Sequence, residues 1–401
     1  MTVLAPKVER QRSEASRKYA KLVEGLNFPF VITVLLLVLL GLVDVGFVIA
    51  DSSEYNISRQ ILGVVLGIVV AIVVWKVDYR NFADMMVPLL ILDVVLILSP
   101  HLPVIGHTAG GATSWVKIGI TFQPGELAKP VTVLLMASMV ARYYGMLDNP
   151  REYVKCLIVM IVPFVCILTQ PDLGTGIVLL VIGMTIIFAG GANGKFIGIS
   201  VGLLAALVVA ALALDPVFDN IAGEDVFIQD YQMNRLLVFI DADLDPSGSG
   251  YNLQQAKIAI GSGGLLGKGL GNATQSALGF LPEAATDFVF CTVAEQLGLV
   301  GVLVLLGLYG SLFYQMVKMA KNVSTQFGRL IILGIFGMWL FQVLENIGMT
   351  CGLMPITGIP LPFISYGSSS MVSNFICVGL ILSVWSRESS FGKPPDVTEA
   401  I

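Results

Sequence analysis

The sequence predicts an all-α integral membrane protein of ten transmembrane helices, and three observations predict it. Of the 401 residues, 56% are hydrophobic and only 13% are charged, about half the charged share of an average soluble domain. Apolar runs of spanning length, about 20 residues each, recur ten times along the chain. Lys and Arg are divided unevenly between the two sets of connecting segments, which fixes an orientation. The net charge of −5 gives no reason to expect a nucleic-acid partner.

The first 27 residues are polar and basic and read as a cytoplasmic tail. The apolar run at 28–50 is long enough to span, so it reads as a first transmembrane helix and not as a signal-peptide core. Nine more spans are expected at roughly 59–77, 82–100, 124–143, 153–170, 174–190, 196–214, 287–317, 328–350 and 367–386. Residues 28–386 thus form the membrane domain, and 387–401 a second cytoplasmic tail. With the N-terminus inside, 17 of the 23 Lys and Arg lie on inner segments and 5 on outer ones, with Lys129 inside a span. Both termini are therefore placed in the cytoplasm. One large extracellular loop, about 215–286, joins spans seven and eight, and loops this long are usually functional. Its stretches 231–240 and 252–260 are candidates for helices lying on the membrane surface.

Five scattered cysteines without a Cys-x-x-Cys pair, and only His101 and His107, argue against a disulfide framework or a zinc site. The glycine-rich GSGGLLGKG at 261–269 fails as a P-loop: Ser262 stands where Gly is needed, and Gly269 where Ser or Thr belongs. A compact turn fits better, with backbone N–H groups that could still hold an anion.

Charges inside spans are costly and normally face the bundle interior or a wet cavity. FQPGELAKP at 122–130 opens the fourth span, with Pro124 in its first turn and Glu126 and Lys129 on one face. They form either an ion pair at the helix end or a cavity-lining pair that meets a charged substrate. Asp44 and Asp93 are isolated and expected to hydrogen-bond a neighbouring helix. Glu295, two turns below Asp287 on nearly the same face, and Glu345, beside Gln342 and Asn346, are candidates for the border of a central cavity. Asp172 or Thr175 is expected to cap the sixth span. Pro355, Pro360 and Pro362 make 352–370 stiff and non-helical, which is tolerated where protein buries the backbone or a cavity hydrates it. Trp115 is either a wall of the site or an interfacial anchor. Asp287, at the mouth of the eighth span, is either an acid stabilised by the helix dipole or a reactive carboxylate; Thr286 beside it can cap the span.

SWVKIGITFQPGELAKP, QPDLGTGIVLL, YQMNR, GYNLQQAKIAIGSGGLLGKG, TQSALGFLPEAATDFVFCTVAEQLGLVG and NIGMTCGLMPITGIPLPFISYGSSS together resemble the SEDS family (shape, elongation, division and sporulation), the RodA and FtsW proteins. They run in family order from about 114 to 375. AKIAIGSGG and GKG lean towards the RodA, or elongation, branch. The resemblance implies a peptidoglycan glycosyltransferase of the bacterial cytoplasmic membrane. It would polymerise lipid II beside a class B penicillin-binding protein and other cell-wall machinery. Asp287 matches the family's essential loop acid. Gln123, Pro124, Glu126 and Lys129 match its Gln-Pro-Ser-Glu-x-x-Lys motif, with Gly125 in place of Ser, and Trp115 matches its outer-loop tryptophan. Ala285 departs from a family His, Gln296 from the second Glu of AEELG, and Ser368 from a Gly.

On that resemblance Asp287 is expected to act as general base on a sugar hydroxyl. Lys129 and Arg235, ahead of Lys257 and Lys268, would stabilise the departing pyrophosphate. Glu126, Trp115, Gln123 and Ser365 complete the expected substrate-binding set. No metal-ligand cluster stands out, and the sequence leaves open whether Mg²⁺ or Mn²⁺ bridges the pyrophosphate to an acid. Two other readings stay open: a lipid II flippase, against which the lack of an inverted repeat counts, and a non-catalytic scaffold for a penicillin-binding protein.

Overall fold

The structure, a computed structural model, describes residues 25–50, 55–102, 106–109, 112–170, 172–222, 230–246, 248–276 and 279–391. Most of both expected tails, 1–24 and 392–401, lies outside the described residues. Helices occupy every one of the ten expected spans. In order they are α1 (Phe28–Val48), α2 (Ile57–Lys76), α3 (Met86–Leu98), α4 (Pro124–Arg142), α5 (Pro150–Leu168), α6 (Leu173–Ala189) and α7 (Gly194–Ala222). After the long loop come α10 (Val289–Asn322), α11 (Gln326–Cys351) and α12 (Ser368–Phe391). The loop contains α8 (Asp230–Ile240) and α9 (Ser249–Gly263), covering both stretches expected to be helical. By length and composition α1, α2, α10, α11 and 368–388 of α12 can each cross a membrane; 86–101, α6 and 194–210 are shorter apolar helices.

One expectation is corrected, and the nearly all-helical chain carries one element beyond those expected. Residues 106–122 form a three-stranded antiparallel sheet, β1 (Gly106–Ala109), β2 (Ala112–Ile118) and β3 (Ile120–Phe122), in the order β1-β2-β3. Within it Val116 pairs with both Gly106 and Phe122. The eighth span starts at Val289 and not at 287, so Thr286 does not cap it. Its hydroxyl instead donates to the carbonyl and carboxylate of Glu283.

Helix starts follow local chemistry. Asn27, Asn56, Asn149 and Asp172 each accept a backbone N–H from the first turn that follows, satisfying a donor with no partner inside the helix. At α6 it is Asp172 that caps, taking Thr175 N at 3.0 Å. Pro124 occupies the first helical turn of α4, as expected.

The bundle has two ends. One carries the sheet, α8, α9 and the loop before α10, and is called the loop face. At the other, Glu388 accepts from Tyr79, Arg80 and the Ser324 backbone, while Arg387 donates to the Trp75 and Lys76 carbonyls closing α2. Between the ends α4 is buried along nearly its whole length and packs on α3, α6, α11 and α12. Asp44 and Asp93 do what was expected of them. Asp44 of α1 takes hydrogen bonds from Thr292 and Gln296 of α10, and Asp93 of α3 takes one from Thr132 of α4.

Helix α10 is broken at Gly298, whose φ of 64° and ψ of −163° are not helical. The break frees carbonyls above it and N–H groups below it, and such groups must find partners in a membrane bundle. The glycine-rich segment supplies partners for four of them. Lys268 N and Gly269 N donate to the Glu295 and Gln296 carbonyls, and Leu299 N and Val300 N donate to the Gly264 and Leu265 carbonyls. The segment is thus spliced into the helix. It fits because Gly263, Gly267 and Gly298 lack side chains: a Cβ on any of them would overlap backbone of the other element.

Candidate active site

Asp287 lies at the loop face, two residues ahead of α10 and outside the spanning helix. The chain reaches it through a turn in which Glu283 holds a left-handed φ of 54°. The three successive backbone carbonyls of residues 285–287 each meet a donor from distant sequence. Tyr366 N binds the Ala285 carbonyl at 2.8 Å, Ser365 Oγ the Thr286 carbonyl at 2.6 Å, and Asn346 Nδ2 the Asp287 carbonyl at 2.7 Å. The donors come from the end of α11 and from the strap, residues 353–367, that joins it to α12.

The Asp287 carboxylate itself is held differently. Among the described residues none donates a hydrogen bond to it, and its environment is set by burial and by charge. Withdrawal from water pushes it up to about 7; Glu283 and Asp172 push the same way, and Arg235 opposes them. Arg235 projects from α8. Gly358 of the strap, at a φ of +73°, lies against both groups: a Cβ there would sit 3.0 Å from Asp287 Oδ2 and 3.6 Å from Arg235 Nη1. Half-buried and pushed up to about 7, this carboxylate suits a proton acceptor at neutral pH.

The other expected site residues sort into those that the structure links to Asp287 and those it engages elsewhere. Gln123 Nε2 donates to Asp172 Oδ2 at 3.1 Å, and Asp172 is one of the charges felt by Asp287. Glu126 and Lys129 form a 2.6 Å ion pair with both side chains almost fully buried, and the Glu126 carbonyl accepts from Ser373 of α12. Trp115 is half-buried on β2, opposite His107 of β1. Lys257 reaches the end of α11, where its Nζ would stand 2.7 Å from a Cβ at Gly352, a favourable place for a cation. Ser365 is buried at 3% exposure with both of its hydrogen bonds made to backbone, Leu361 N and the Thr286 carbonyl. The structure therefore puts it in support of Asp287 and not in an open binding surface.

Glu295 departs from expectation. It does not share a cavity face with Asp287, because α10 begins after Asp287. Its carboxylate is turned into the loop, where it accepts from Lys268 Nζ, the N–H groups of Thr274, Gln275 and Ser276, and the Thr274 and Ser276 hydroxyls. The anion held by this loop is the protein's own, and Lys268 is committed to it at 2.7 Å. Glu345 does belong near Asp287: its charge is felt together with those of Asp287 and Arg235, and it accepts from the Thr357 hydroxyl. Among the described residues no group of three or more His, Cys, Asp or Glu is placed to hold a metal ion. All five cysteines carry free thiols.

Set against known proteins, this arrangement has a clear kinship. The family model described as Cell cycle protein, FTSW_RODA_SPOVE, matches residues 27–390, and the chain belongs to that family. The peptidoglycan glycosyltransferase MrdB of Escherichia coli is 34% identical over 369 residues, covering 90% of this chain and 95% of its own length. A probable peptidoglycan glycosyltransferase FtsW of Trichlorobacter lovleyi is 29% identical over 388 residues, covering 90% and 96%. Among solved structures, a chain of a peptidoglycan synthase complex that coordinates polymerisation and crosslinking superposes with a TM-score of 0.74 at 28% identity, covering 92% of this chain and 99% of that one. The rod shape determining protein RodA of Thermus thermophilus superposes with a TM-score of 0.64 at 27% identity, covering 90% and 96%. With several apolar helices and these relatives, the chain is a multi-pass membrane protein.

Proposed function

We propose that this protein is a RodA-like peptidoglycan glycosyltransferase, with Asp287 as its general base. The observation that carries the assignment of Asp287 is its setting: a half-buried carboxylate pushed up to about 7, fixed through its backbone and faced by Arg235, in a chain whose relatives bear that activity in their names. In this reading the substrate is lipid II, presented at the outer face of the bacterial cytoplasmic membrane, and the loop face is that outer side. Asp287 accepts the proton of a GlcNAc 4-hydroxyl. The hydroxyl oxygen attacks the anomeric carbon of a lipid-linked MurNAc from the side opposite its phosphate. The bond to that phosphate breaks, and undecaprenyl pyrophosphate leaves with the electron pair.

Charge then develops on the pyrophosphate. Arg235 is a cation whose charge acts on the base, and it takes the main share of the developing charge. Lys129, held by Glu126, is assigned to the lipid-linked phosphates, and Gln123 and Trp115 to the sugars. A class B penicillin-binding protein is the proposed partner, supported by the likeness to a chain of a synthase complex.

The test is polymerisation of lipid II by purified protein in liposomes, with and without the penicillin-binding protein, beside Asp287→Asn. Glycan strands from the wild type and none from the folded variant are expected. Lipid movement without strands would make the protein a flippase, and neither activity would make it a scaffold.

A further inference from the structure

Asn346 touches no group that reacts in the proposed chemistry, yet it ties the backbone that bears the base to the strap that faces it. Its one amide donates to the Asp287 carbonyl at 2.7 Å and to the Ile359 carbonyl at 2.8 Å. Ile359 follows Gly358, the residue at which a Cβ would meet Asp287 Oδ2 and Arg235 Nη1. The preceding residue on α11, Glu345, takes the Thr357 hydroxyl on the other side of Gly358. Two adjacent residues of one rigid helix therefore grip the strap on both sides of its contact with the carboxylate, and one of them also grips the backbone that bears it. Asn346 is fully buried, so neither bond is exchanged for water without loss.

We propose that Asn346 is a positioning residue for Asp287, setting through its forked amide the distance between the carboxylate, the Gly358 backbone and Arg235. The inference rests on Asp287 being the base. A shift of about 1 Å in a reacting group can cost about a hundredfold in rate, so a clamp of this kind is read in the chemical step and hardly in ground-state binding. Gly358 is the second half of the device. A methyl group there, at a positive φ and 3.0 Å from Oδ2, removes no hydrogen-bonding group but moves the carboxylate by a few tenths of an ångström.

The test compares wild type, Asn346→Asp and Gly358→Ala as full-length protein with the penicillin-binding protein and lipid II. Rates are normalised to folded, monodisperse protein. Asn346→Asp keeps the shape but turns a donor into an acceptor facing two carbonyls. Both variants are expected to lose about 10- to 100-fold in kcat, with KM for lipid II within about twofold of wild type. A kcat equal to wild type in the folded variants, or a KM rise with kcat unchanged, overturns the proposal. If Asn346→Asp does not fold, Gly358→Ala decides by the same criteria. No strands from the wild type overturns the functional reading and this proposal with it, whereas strands from wild type and from both variants at equal rate overturn this proposal alone.

Discussion

Asp287 and Glu295 stand eight residues apart on either side of one helix start, and the molecule treats them in opposite ways. Glu295 is saturated: a lysine, three backbone N–H groups and two hydroxyls converge on it. Asp287 has its backbone fixed and its carboxylate left without a donor among the described residues. The difference teaches how to tell a structural acid from a reactive one in a membrane bundle. Donors make the charged form comfortable and inert. Burial without donors keeps a proton within reach and leaves a lone pair for chemistry.

The largest effect that would sharpen this contrast is Asp287→Asn, expected to lower polymerisation by about 10²- to 10⁴-fold. The same change should stabilise the fold at alkaline pH. The Asp287 carboxyl has a raised value, so the stability it allows is full below its ordinary 3.8 and declines as pH rises through about 7. The asparagine variant should therefore gain in melting temperature above pH 7 and show no gain below about pH 4. By linkage the gain is at most about 4 kcal/mol, less for the water that reaches a half-buried group.

Next is Arg235→Ala, expected to cost about 10²- to 10³-fold in rate. Because Arg235 holds the Asp287 value down, the acidic limb of the rate profile should move upward from about 7, and Glu283→Gln should move it downward. Rates measured between pH 5 and pH 9 check both signs; a limb unmoved by either change would break the contrast. Glu295→Gln should behave in the opposite sense. Leaving Lys268 without its buried partner is expected to destabilise by about 3 kcal/mol, read as a lower melting temperature. The folded fraction should still polymerise at close to the wild-type rate. The smallest effect is expected from Asp93→Asn, which retains an acceptor for Thr132 and should change stability by about 1 kcal/mol or less.

How much of this could be read beforehand differs by residue. The nearly all-helical, membrane-spanning character is legible because apolar runs of spanning length have few other uses, and a cap on the sixth span at Asp172 or Thr175 because short polar side chains before a helix have one dominant local bond. The sheet at 106–122 is not, although its alternation around Gly-Gly is a hairpin signal; between apolar runs of spanning length, a short outer segment looks like a connector. Helical spacing would put Asp287 and Glu295 on one face, but that spacing fails once the helix starts two residues later. The three-carbonyl cradle was out of reach altogether. Its acceptors are backbone, which carries no letter in the sequence, and its donors lie some 60 to 80 residues away.

The splice at Gly298 carries a consequence for how this chain can vary. Gly263, Gly267 and Gly298 each occupy space that another element's backbone claims, so no one of them can be enlarged while the other two stay in place. Nor can the segment between 263 and 269 gain or lose a residue without shifting the four cross-bonds out of step. Across homologues these three positions should therefore drift together or not at all, and length changes in the long loop should collect on either side of the splice and leave it untouched.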